Sequence, residues 1–110
     1  MKPANARVPE TIQELLETLT SMLLKAPKFL DKTGYFPYYD LDYFFRELSG
    51  GLSYNRQSLG EERYKQLTQM SDRMRAHFEA DPDDKTGETL IGCKIIHQME
   101  DVLRQVRRTR

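Results

Sequence analysis

The sequence has little of what most chemistry requires. There is a single cysteine, Cys93, so no disulfide can close within the chain and a reduced, cytoplasmic protein is expected. Neither sign of charge is in excess, because Lys and Arg number 17 and so do Asp and Glu. Phosphate contacts call for a basic surplus, so a general nucleic-acid binder is disfavoured. No apolar run is long enough to cross a bilayer, and the first residues carry Lys2 with no apolar core behind it. Neither a membrane span nor a secretory signal is therefore expected. No segment alternates with the period of a strand.

Catalytic and metal-binding signatures are missing as well. A carboxylate-bridged di-metal bundle needs Glu-x-x-His pairs, but Met74 and Lys94 stand three residues before His77 and His97. Cys93 and His97 lie one helical turn apart, yet two ligands do not complete a zinc site. Cys93 reads as a small core residue and His97 as a flank of a helical seam. Asp81, Asp83 and Asp84 are spaced as calcium ligands can be, but a calcium loop starting at Asp81 would need glycine and an acid where Thr86 and Gly92 stand. No glycine-rich phosphate loop follows a strand, and neither histidine lies in a nucleophile motif. The expectation is a protein without catalytic activity, metal or cofactor.

What the chain does have is helical periodicity. At 110 residues it is long enough for one core and too short for two. It is read as a single helical domain, with a loose arm at 1–8 and a frayed basic tail at 107–110. Ile12, Leu15, Leu16, Leu19, Met22 and Leu23 form a stripe opened by Pro9 or by Thr11 with Glu14 as a capping box, and Pro27 ends it. A second helix, capped by Asp40, turns Leu41, Phe44, Phe45 and Leu48 inward and stops at Gly50-Gly51. Residues 52–57 read either as one helical turn or as a loop. Residues 58–106 then form a long helical hairpin, with Ser58 and Glu61 as a capping box and Thr86 as the cap of the last helix. One arm lines up Tyr64, Leu67, Ser71, Met74 and Phe78, and the other Gly92, Ile96, Met99, Leu103 and Val106, in steps of three and four. The fold expected is all-α: an irregular antiparallel four-helix bundle built on this C-terminal hairpin.

The strongest functional signal is aromatic and acidic. Tyr35, Tyr38, Tyr39 and Tyr43 are interleaved with Asp40 and Asp42. Tyrosines bury much area while ordering few torsions, which suits a binding hot spot, although rings such as these also plug the ends of bundles. Within 31–50 the acids Asp31, Asp40, Asp42 and Glu47 face only Lys32 and Arg46. Within 81–101 six acids, Asp81, Asp83 and Asp84 among them, face Lys85 and Lys94. A neutral total thus hides two acidic stretches that can steer a basic partner. The arginines of residues 104–110 complement the end of the last helix and are read that way before they are read as a phosphate site.

A small helical chain with an acidic, tyrosine-rich surface and no catalytic apparatus resembles the immunity proteins of bacterial toxin systems. The residues that carry the resemblance are those of 35–43 and the turn at 81–84. The stretches Leu59-Gly60-Glu61-Glu62-Arg63-Tyr64 and Phe78-Glu79-Ala80-Asp81-Pro82 also have the look of family landmarks. The resemblance implies one protein partner, a basic toxin or effector domain, whose cleft is occluded by Tyr35, Tyr38, Tyr39, Asp40, Asp42, Tyr43, Asp81, Asp83 and Asp84. The alternative is a self-associating structural or adaptor bundle, in which the seams of the hairpin continue into a homodimer.

Overall fold

A computed structural model describes residues 8–26 and 41–108. They are all-α, as the periodicity requires: α1 (Ile12–Lys25), α2 (Leu41–Tyr54), the single turn α3 (Arg56–Leu59), α4 (Glu61–Ala80) and α5 (Glu88–Arg108). Residues 107 and 108, expected in a frayed tail, still belong to α5.

Thr11 opens α1, its Oγ1 accepting the Glu14 amide at 3.0 Å, while Glu14 reaches back to the Glu10 amide at 3.2 Å. Ala26, which precedes Pro27, has left the helix for φ −61°, ψ 151°. That is the conformation a following proline imposes.

The four long helices run alternately up and down. Lys25 Nζ lies 6.0 Å from the Phe44 ring centroid and Thr18 bonds Glu47, so α1 and α2 are antiparallel. Asp42, at the start of α2, pairs with Arg75 in the last third of α4. Thr20 bonds Glu100, and Gln13 shares a crevice with Arg104, which sets α1 against α5 in opposite directions. The hairpin of α4 and α5 supplies the fourth side. Both seams are buried: Leu67, Ser71, Met74 and Phe78 from α4, and Gly92, Ile96, Met99, Leu103 and Val106 from α5. Tyr64 packs on this core only in part.

Two glycines are placed by contact between helices. A Cβ on Gly92 would lie 2.5 Å from Phe78 Cε1, so α5 approaches the Phe78 ring as closely as a backbone can. The pair Gly50-Gly51 was expected to stop α2, and it does not, since the helix continues to Tyr54. A Cβ on Gly51 would meet Leu15 Cδ2 at 2.7 Å and Pro9 Cγ at 2.9 Å, so this glycine makes room for α1 to cross.

The joint between α2 and α4 also departs from expectation. Asn55 is buried, and its Nδ2 donates to Gly51 O at 2.8 Å and to Pro9 O at 3.1 Å, tying the entry of α1 to the end of α2. Ser58 was expected to cap the long helix but lies inside α3. The chain turns instead at Gly60, with φ 84° and ψ 156° and no side-chain cap, a backbone region that only glycine enters without strain. Arg56 then forks onto Glu61 with bonds of 2.7 and 2.8 Å and stacks over Tyr64 at 4.4 Å. The first of the two supposed landmarks is therefore a structural joint.

Candidate protein-binding surface

One end of the bundle gathers the C-termini of α1 and α4 and the N-termini of α2 and α5. Part of each acidic stretch comes to this end: Asp42 from the first, and Asp83, Asp84 and Glu88 from the second, whereas Glu47, Glu100 and Asp101 lie farther along their helices. Asp42 sits in the first turn of α2, and its carboxylate is held by Arg75. Arg75 also reaches Glu79 at 3.5 Å and lies over the Phe45 ring at 5.5 Å. Burial works against the Arg75 charge, and the pairing with Asp42 and Glu79 outweighs it, so the guanidinium is held more firmly protonated than usual. Arg75 is six residues before Asp81, roughly 9 Å along a helix, which brings Asp42 near the level of the acidic turn. Asp83 and Asp84 are exposed in that turn, with Asp84 at φ 56°. Glu88 follows in the first turn of α5 and meets the His77 ring.

Tyr43 is half-buried and stands edge-on to Phe44, with ring centroids 5.5 Å apart at 85°. It therefore belongs partly to the core. Tyr35, Tyr38, Tyr39 and Asp40 lie outside the described residues.

Asp81 does not belong to the surface at all. It is 2% exposed, and its carboxylate organises the turn from within. Oδ1 accepts the amides of Lys85 at 2.6 Å and Thr86 at 3.1 Å, and Oδ2 accepts the amide of Thr89 at 3.1 Å. The Thr89 hydroxyl returns a bond to Asp81 O at 3.2 Å. The first-turn amide of α5 is thus satisfied by Asp81 and not by Thr86, the cap that helix spacing suggested. Burial pushes the Asp81 carboxyl up, but the bonds from Lys85, Thr89 and Thr86 more than reverse it and bring it from 3.8 to about 2. Asp81 is removed from the set of partner-binding residues, and the second supposed landmark, Phe78 to Pro82, is a joint like the first.

Features absent from the sequence reading are apolar. Leu24 near the end of α1 is 81% exposed, and Leu90 and Ile91 beside the acidic turn are 60% and 42% exposed. Leu24 falls beside the α1 stripe and Leu90 and Ile91 fall off the α5 seam, so register alone would have marked them. Arg75 had no such signal, because its two acidic partners come from a different helix and from its own.

Among the described residues, no three His, Cys, Asp or Glu side chains are grouped so as to hold a metal ion. Cys93 is half-buried, and burial, aided by the Asp84 carboxylate, pushes its thiol up, away from the reactive thiolate form. His97 stands on the rim of the α5 seam, with Nδ1 3.1 Å from Glu100 Oε1. No helix among the described residues is long and apolar enough to cross a membrane.

The chain is thus an all-α bundle with an acidic end carrying exposed aliphatic residues. Comparison with family models, with curated proteins and with solved structures finds no match for it.

Proposed function

We propose that this chain is a protein-binding module without catalytic activity, which neutralises a basic toxin or effector domain by covering its active cleft, as an immunity protein does. The observation that carries the reading is the convergence of Asp42, Glu79, Asp83, Asp84 and Glu88 on one end of the bundle, where, among the described residues, Lys25, Arg75 and Lys85 oppose them. Such a surface speeds the encounter with a basic partner and selects against acidic ones. Leu24, Leu90 and Ile91 add the apolar area that charge alone does not provide.

The test is capture from the source cell at low and high salt, followed by mass spectrometry and by binding of the captured partner to variants. The expected partner is basic, stoichiometric and released by salt, and Asp83→Lys weakens it at least tenfold while leaving the helical content unchanged. A partner indifferent to Asp83→Lys and to Asp42→Lys would remove the acidic end from the interface. Recovery of the chain alone, as a dimer, would favour the self-associating adaptor instead.

A further inference from the structure

A second feature stands well away from the acidic end. Glu100 is twelve residues along α5 from Glu88, about 18 Å at 1.5 Å per residue. It is 5% exposed and lines a crevice of about 310 Å³ between α1 and α5, together with Gln13, Leu16, Glu17, Thr20 and Arg104. Its Oε2 lies 3.3 Å from Thr20 Oγ1, whose single hydroxyl hydrogen is shared with Leu16 O at 3.0 Å, and its Oε1 faces His97 Nδ1 at 3.1 Å.

A carboxylate this far from water is ordinarily matched by a permanent counter-charge. Here the neighbouring imidazole is charged only when protonated. Arg104, in the same crevice, points its guanidinium at Asp101 at 3.5 Å. Each carboxylate oxygen has two acceptor sites, and the contacts with Thr20 and His97 use at most one on each. Those that remain match the paired N–H groups of a guanidinium fork.

We propose that this crevice receives one arginine side chain of a protein partner. Glu100 takes the fork, and the Glu17 carboxylate accepts an outer N–H group. Leu16 supplies the apolar surface that a weakly hydrated guanidinium tolerates better than an ammonium does. Glu17 and Glu100 exceed Arg104 by one negative charge, which the incoming side chain neutralises. The crevice has room for one side chain, being at the small end of ligand sites.

The experiment is a titration of the full chain with Nα-acetyl-arginine N-methylamide, followed by backbone amide shifts in NMR. The expected result is a saturable shift at Thr20, His97, Glu100 and Arg104. The citrulline counterpart, equal in shape and uncharged, should bind at least tenfold more weakly, and Glu100→Gln should lose at least tenfold. Glu17→Gln, at an exposed position, should weaken binding several-fold and serves as the variant if Glu100→Gln does not fold. Asp83→Lys at the acidic end should leave this titration unchanged, so the crevice and the acidic end can fail separately. Absence of a saturable shift overturns the proposal, and so does equal binding of citrulline. Binding that appears only in Arg104→Gln would make Arg104 the crevice's own occupant and overturn it as well. Agmatine binding tenfold tighter than the peptide-like arginine would assign the site to a free amine, not to a protein side chain.

Discussion

Single atoms decide the hairpin. The absent side chain of Gly92 lets Phe78 lie against the α5 backbone, and a methyl group there would sit 2.5 to 2.9 Å from three carbons of the ring. Phe78 is fully buried and cannot swing into solvent, so the strain must be taken up by shifting one helix from the other. Gly92→Ala is expected to destabilise by about 1–3 kcal/mol, the usual cost of overpacking, despite the gain in helix propensity. Urea unfolding followed by circular dichroism measures it, and an unchanged midpoint would mean that α5 can move away without cost. Asp81 acts through charge. Its folded carboxyl titrates at about 2 against an ordinary 3.8, so the stability it contributes is fully present above about pH 4. That contribution is lost as pH falls through about 2. Asp81→Asn keeps one acceptor oxygen for three amides, and its melting temperature at pH 7 should lie below that of the wild type. The gap should narrow between pH 4 and pH 2, and thermal melts at the two pH values check the sign.

At the scale of elements, α2 is where sequence and structure part. Two adjacent glycines commonly end a helix, and the stop inferred from them follows from local chemistry alone. What it omits is the neighbour: α1 crosses α2 at Gly51, and a helix can carry glycine in its middle when another chain segment needs the space. The two positions should respond with opposite signs. A Cβ on Gly50 would touch Val8 Cγ2 at 3.4 Å, an ordinary contact, so Gly50→Ala should stabilise by roughly 0.5–1 kcal/mol through helix propensity. Gly51→Ala should destabilise, since Leu15 and Pro9 stand within 3.0 Å of the new carbon. Chemical unfolding of both variants decides the matter, because a helix stop at this pair would make them behave alike. The caps repeat the lesson. Thr11 was legible because its partner Glu14 is three residues away. The cap of α5 was not, because Asp81 reaches it across eight residues and the intervening turn.

At the scale of the whole molecule, the class and the hairpin were legible because both rest on periodicity, and the seams named from spacing are buried except at Tyr64, which is half-buried. The acidic end was half legible: Asp42, Asp83 and Asp84 could be named, but their meeting depends on how α2 lies against α4, and Asp81 lost its place to burial. The same burial bears on self-association. A homodimer built by continuing the seams would need them open, whereas Leu67, Met74, Phe78, Ile96, Met99 and Leu103 are all fully enclosed within one chain. The large apolar residues left outside among those described are Val8, Leu24, Tyr54, Leu90 and Ile91, with Leu24, Leu90 and Ile91 at the acidic end and Val8 and Tyr54 apart from them. A stable dimer buries on the order of 1,200–2,000 Å² in total with a continuous apolar centre, which these described side chains do not supply by themselves. The chain is therefore expected to sediment as a monomer of 13.0 kDa from micromolar to near-millimolar concentration. Sedimentation equilibrium tests this directly. A species of twice that mass, dissociated by Leu90→Glu, would place the exposed aliphatics of the acidic end in a contact between copies and give the adaptor reading precedence over the inhibitor.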